Sequence, residues 1–107
     1  MFRVGVSVRE ARERLRPAVV WIPSGAWVEF VVEDRRVHTV VFELDSMVTA
    51  SAAVLRRAGQ DASPPLVELG ARFLVEFRDA PPGRYPFRVE GSGALARGAV
   101  VVEAPGG

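Results

Sequence analysis

The chain has 107 residues, of which 49% are hydrophobic and 25% charged, and its formal net charge is +1. This length fits a single domain spanning 1–107, burying about 60–70% of the surface its unfolded form exposes. The near-neutral charge implies no general pull toward nucleic acid or an anionic membrane. The absence of cysteine excludes disulfides, thiolate metal sites and cysteine nucleophiles. No apolar run is long enough for a membrane-spanning helix, so no membrane insertion is expected. All the basic residues are arginine, and lysine and asparagine are absent. That bias suits a thermophile, and a GC-rich genome would give it equally. The first residues lack the sustained apolar core of a secretory leader, so the chain as it stands is expected in the cytoplasm.

The 19 valines favour strands, because β-branched side chains fit a pleated, half-buried surface. Phe2, Val4, Val6 and Val8 alternate with Arg3, Gly5 and Ser7, the period of an opening strand. Ser7 precedes Glu10 by three positions, a capping-box spacing, so residues 8–16 could be a short helix. The preferred reading is an irregular segment ended by Pro17. Ala18 to Ile22 is a short apolar run, and Pro23-Ser24-Gly25 is a turn. Trp27 to Glu33 reads as a strand with Val28, Phe30 and Val32 on one face. Glu33-Asp34-Arg35-Arg36 is a charged turn, and Val37 to Glu43 is a strand with His38, Val40 and Phe42 on one face.

The period then lengthens. Leu44, Val48, Ala52 and Leu55 form a helical stripe, Asp45 or Ser46 can cap it, and Gly59 suits the position just past its end. These signals predict one helix at about 46–58. Leu66 to Leu69 is extended, and Phe73, Val75 and Phe77 mark another strand. Tyr85, Phe87 and Val89 share the face of the next. Pro86 lacks a ladder donor, which implies an edge position or a bulge there. Ala99 to Glu103 closes the domain. About seven short strands between turn signals argue for an all-β Greek-key sandwich with one inserted helix.

The order of these parts resembles the cupredoxins, the blue-copper β-sandwich proteins. The residues that carry the resemblance are Pro17, Val19 to Ile22, Gly25, Val28 to Val32, His38-Thr39-Val40, Leu69-Gly70, Phe73 to Phe77 and Pro82-Gly83-Arg84-Tyr85-Pro86-Phe87. The resemblance covers about 17–103, apart from an insertion at 46–63. It implies a copper site made of an early His, a Cys, a second His and usually a Met. His38, the only histidine, falls at the first of these positions. Val89 falls where the Cys is expected, Ser92 where the second His often lies, and Ala96 near the Met. Valine offers a metal no lone pair, and blue-copper chemistry needs the thiolate.

The resemblance therefore implies a copper-free, cupredoxin-like binding or accessory module that takes no cofactor, is not an enzyme and contacts another protein. The alternative is a copper-handling or electron-transfer protein that uses His38 with non-standard or interchain ligands, Met47 and Glu90 being candidates. A stable metal site needs three or four protein ligands. His38 is therefore read first as a hydrogen-bonded, partly exposed histidine at the end of the sandwich. A Ser92–His38 hydrolytic pair is the third reading, and no nucleophile elbow supports it. The resembled family is usually extracytoplasmic. Tyr85 is expected to bond a nearby backbone carbonyl as a tyrosine corner, and Trp21 and Trp27 to serve in packing, with Trp27 half exposed if it opposes Val28. The 90–98 segment reads as a flexible, remodelled ligand loop. Arg9, Arg12, Arg14 and Arg16, interleaved with Glu10 and Glu13, read as a solvated, self-paired face. No aromatics accompany them for base stacking, and no nucleic-acid partner is expected.

Overall fold

The computed structural model describes residues 2–104. Eight strands form two four-stranded sheets packed face to face. They are β1 (Phe2–Arg9), β2 (Arg12–Arg16), β3 (Val19–Ile22), β4 (Trp27–Val32), β5 (His38–Phe42), β6 (Arg72–Glu76), β7 (Gly83–Gly91) and β8 (Ala96–Val102). One sheet runs β2-β1-β4-β6 and the other β3-β8-β7-β5. Two parallel pairings, β1 with β4 and β3 with β8, join strands that are distant in sequence. The period-two pattern sets the core. Val4, Val6, Val28, Phe30, Val32, Val75 and Phe77 face Val40, Phe42, Tyr85, Phe87 and Val89. Phe30 is its hub, meeting Phe87 edge-on at 5.0 Å between ring centroids and Phe42 at 6.2 Å.

Residues 8–16 are neither helical nor irregular. β1 and β2 form a hairpin in which Val8 opposes Glu13 and Arg9 opposes Arg12. The two-residue loop Glu10-Ala11 has φ of 54° and 60°, the primed-turn geometry whose twist suits a hairpin. This turn adds the eighth strand.

The inserted helix is shorter than expected. A 3-10 turn spans Leu44–Ser46, and α1 spans Thr49–Arg57 with no side-chain cap. Val48, predicted on the buried stripe, is exposed, and Ser51 and Val54 are buried instead. Gly59 (φ +68°) ends the helix as expected, with Gln60 N–H donating to the Leu55 carbonyl at 2.9 Å and Gly59 N–H to that of Arg56 at 3.1 Å. Of 66–69, only Leu66 pairs, in a bridge to His38.

Pro86 lies in a central strand, not at an edge. It sits one position past the last β5–β7 pair, Phe42 with Phe87, where its carbonyl still accepts from Glu43 N–H at 2.9 Å, so its missing donor falls at the end of that ladder and interrupts nothing within it. The Tyr85 hydroxyl donates to the Pro81 carbonyl at 2.7 Å, as a tyrosine corner requires. Trp27 is 43% exposed, and Trp21, expected to pack, is 60% exposed on the outside.

Candidate functional site: a buried Glu13–His38–Asp34 network

β5 begins at His38, and its inward alternation with Val40 and Phe42 turns the ring into the sandwich. The side chain is fully buried, not partly exposed as the sequence implies. Both ring nitrogens are engaged. Nδ1 lies 2.7 Å from Glu13 Oε1, and Nε2 lies 2.8 Å from Asp34 Oδ1.

The two carboxyls reach the ring from different elements. On β2, Arg12, Arg14 and Arg16 point outward, which turns Glu13 and Leu15 inward. Asp34, in the β4–β5 loop, accepts from Val8 N–H at 2.7 Å and from Arg36 N–H at 3.0 Å. Gly91 pairs directly with His38 across β5 and β7, and its lack of a side chain admits Glu13. A Cβ there would overlap the Glu13 carboxylate and crowd the Val37 carbonyl. Gly91→Ala is therefore expected to destabilise the fold by about 1–3 kcal/mol, the usual cost of overpacking, measurable as a lower urea midpoint.

Hydrogen-bond donor rules place one proton in each gap. Asp34 is the acceptor for Nε2–H, and the second proton lies between Nδ1 and Glu13 Oε1. Glu13 Oε2 is buried without a hydrogen-bond partner among the described residues. Burial raises the Glu13 pKa above its ordinary 4.5, although the bond and charge of His38 pull the other way. At Asp34 burial also pushes upward, but the bonds from His38, Val8 and Arg36 prevail and hold the carboxyl below its ordinary 3.8.

The two shifts act on stability with opposite signs. Folding favours the protonated form of Glu13, so its contribution is complete below 4.5 and is lost as pH rises through the higher folded value. Folding favours ionised Asp34, so its contribution is complete above 3.8 and is lost as pH falls through the lower folded value. Relative to Glu13→Gln, the wild-type protein should therefore lose stability as pH climbs above 4.5. Relative to Asp34→Asn, it should lose stability as pH drops below 3.8. Denaturant midpoints across this range, compared between proteins, read both terms.

The positions that the resemblance assigns to metal ligands converge on the same end. Val89 is buried and pairs with both Val40 and Ala96. Ser92 lies in the turn after β7 and is exposed. Neither Ser92 nor Ala96 bonds His38, whose partners are Glu13 and Asp34; this removes the Ser92–His38 pair. Glu90 accepts from Arg88 at 2.7 Å instead of approaching the ring, and Met47 packs against the core. The 91–95 turn is tied to the hairpin, with Ala94 N–H donating to the Ala11 carbonyl at 2.8 Å and Glu13 N–H to that of Ala94 at 2.9 Å. Of the arginine face, Arg14 pairs with Glu10 at 3.9 Å and Arg16 with Glu33 at 3.6 Å, while Glu13 has left it for the interior.

This donor set does not fit a blue-copper ion, which needs thiolate and imidazole ligands around one point. Glu13 and Asp34 sit on opposite ring nitrogens, so the three groups share no point. Among the described residues, no three His, Cys, Asp or Glu side chains are arranged to hold a metal ion.

No family model and no curated protein sequence matches the chain. Solved structures do. The chain is similar to the oxidized form of plastocyanin from Dryopteris crassirhizoma, with a TM-score of 0.69, 19% identity, and 94% of this chain and 99% of that one covered. It is similar to a purple cupredoxin from Nitrosopumilus maritimus, with a TM-score of 0.62, 18% identity, and coverage of 96% and 100%. It is also similar to the Cu-containing nitrite reductase of Thermus scotoductus, with a TM-score of 0.64, 23% identity, and 97% of this chain matching 22% of that one. The chain has the cupredoxin fold, and it contains no cysteine.

Proposed function

We propose that this protein is a copper-free module on the cupredoxin scaffold, non-catalytic and built to contact another protein. One observation carries the reading: the single histidine at a ligand position is buried, with both nitrogens committed to carboxyl groups. Binding an ion through His38 would require breaking one of those bonds and exposing a buried ring. Val89, Ser92 and Ala96 would add no imidazole or thiolate.

The surface at this end supports a contact role. Val37, Val67 and Leu95 are exposed there. Arg12 bridges to Ala94 beside Leu95 and opposes Arg9; Arg35 and Arg36 adjoin Val37; and none of these four arginines forms an ion pair among the described residues. Exposed apolar side chains with an arginine rim are the composition of an interface, and they fit a partner with an apolar centre and an acidic border.

The test is to titrate the protein with cupric and then cuprous ion, recording visible absorption, electron spin resonance and melting temperature. The expected result is no stoichiometric complex and no rise in melting temperature. A tight one-to-one complex that stabilises the fold, and that disappears in His38→Ala, would replace this reading with a copper-handling one.

A further inference from the structure

We propose that β6 is a dimerisation strand, pairing edge to edge and antiparallel with the β6 of a second copy, centred on Leu74. β6 ends its sheet. Val32 N–H donates to the Ala71 carbonyl and Phe77 N–H to that of Ala26. By the alternation of an antiparallel ladder, Phe73 and Val75 also face β4, while Arg72, Leu74 and Glu76 direct their N–H and C=O groups to the open side. Those of Arg72 and Leu74 have no partner among the described residues. The edge of β5, in contrast, is covered by residues 61–66, which bond Val40, Phe42 and His38.

The run Arg72-Phe73-Leu74-Val75-Glu76 is its own complement. Paired antiparallel about Leu74, each Arg72 faces the Glu76 of the other copy, and the two leucines face each other. This is a two-fold isologous contact, with oppositely charged cross-strand pairs at both ends, which Arg72 and Glu76 make in place of or beside their intrachain pairs with Glu29 at 3.6 Å and Arg78 at 2.9 Å. Leu74 is 43% exposed, and Trp27, on the same outer face, stands opposite Glu76 in register. The side-chain amide of Gln60 covers the groups at Glu76, donating to its carbonyl at 3.1 Å and accepting from its N–H at 2.8 Å. Pairing requires this amide to swing away, and the backbone at Arg72 of the second copy then replaces both of its bonds.

Sedimentation equilibrium over a concentration series, with amide hydrogen exchange at Leu74, tests this. The expected result is a monomer–dimer equilibrium in which Leu74 N–H exchange slows as concentration rises. Leu74→Pro removes a donor that points away from β4 and should abolish the dimer. Glu76→Arg turns both end pairs repulsive and should weaken it about tenfold or more. An equimolar mixture of Arg72→Glu and Glu76→Arg proteins should associate where neither does alone. A wild-type protein that stays monomeric with concentration-independent Leu74 exchange overturns the proposal. A dimer indifferent to Leu74→Pro and Glu76→Arg, both still folded by circular dichroism, overturns it too.

Discussion

Replacing His38 with alanine should destabilise the protein by about 3–5 kcal/mol, the usual penalty for removing one partner of a buried charged network. The ring supplies the proton in both gaps or accepts one of them. Without it, the fully buried Glu13 side chain loses its only side-chain partner among the described residues, and Asp34 keeps its backbone donors. The lost volume adds a cavity. Each kcal/mol moves Tm by roughly 4–8 °C in domains near this size, so thermal unfolding followed by circular dichroism should show a large drop. Glu13→Gln is the control: a carboxamide can donate its N–H to a bare Nδ1 or accept from Nδ1–H through its oxygen, and the loss should stay near 1 kcal/mol. A His38→Ala protein within 1 kcal/mol of wild type would mean that the network does not hold this end of the sandwich together.

Phe30→Ala should cost about 3–5 kcal/mol by a different route. Phe30 is fully buried on β4 and packs against Phe42 and Phe87 of the facing sheet and Phe73 beside it. Truncation leaves a void at the point where the two sheets meet, and close-packed neighbours relax only partly into such a void. The loss should be independent of pH between 4 and 8, since the rings that Phe30 packs against are phenylalanines, which do not titrate. The His38→Ala loss should vary with pH through Glu13 and Asp34. Urea unfolding of both variants at several pH values separates the two routes.

The strands and their faces were legible because alternation of apolar residues is a strong signal. Val28/Phe30/Val32, His38/Val40/Phe42, Phe73/Val75/Phe77 and Tyr85/Phe87/Val89 all point inward as their spacing predicts. The tyrosine corner was readable from Pro82-Gly83 before Tyr85. The β1–β2 hairpin was not, since its tight turn is made by Glu10-Ala11, residues that rarely take positive φ, where Asn-Gly would have announced it. The helical spacing of Ser7 and Glu10 competed with it.

That one miss concealed the site. Read as a strand, Arg12-Glu13-Arg14-Leu15-Arg16 alternates, and its pattern puts a glutamate inside. A buried carboxyl demands a partner, and the only histidine of the chain is the natural one. Asp34 was equally hidden, because a charged turn ordinarily reads as solvated. Its role depends on the loop folding back over Val8, a long-range contact that local pattern does not carry.

A chain with a single histidine allows a direct test of whether that ring is free to bind metal. Protein labelled with nitrogen-15 in histidine gives one pair of imidazole resonances, and cuprous ion, being diamagnetic, leaves them observable. With His38 locked between Glu13 and Asp34, both resonances should stay in place on addition of one equivalent of cuprous ion. A stoichiometric shift of either resonance would contradict the account, since it would place the metal on a nitrogen that a carboxyl group is said to occupy.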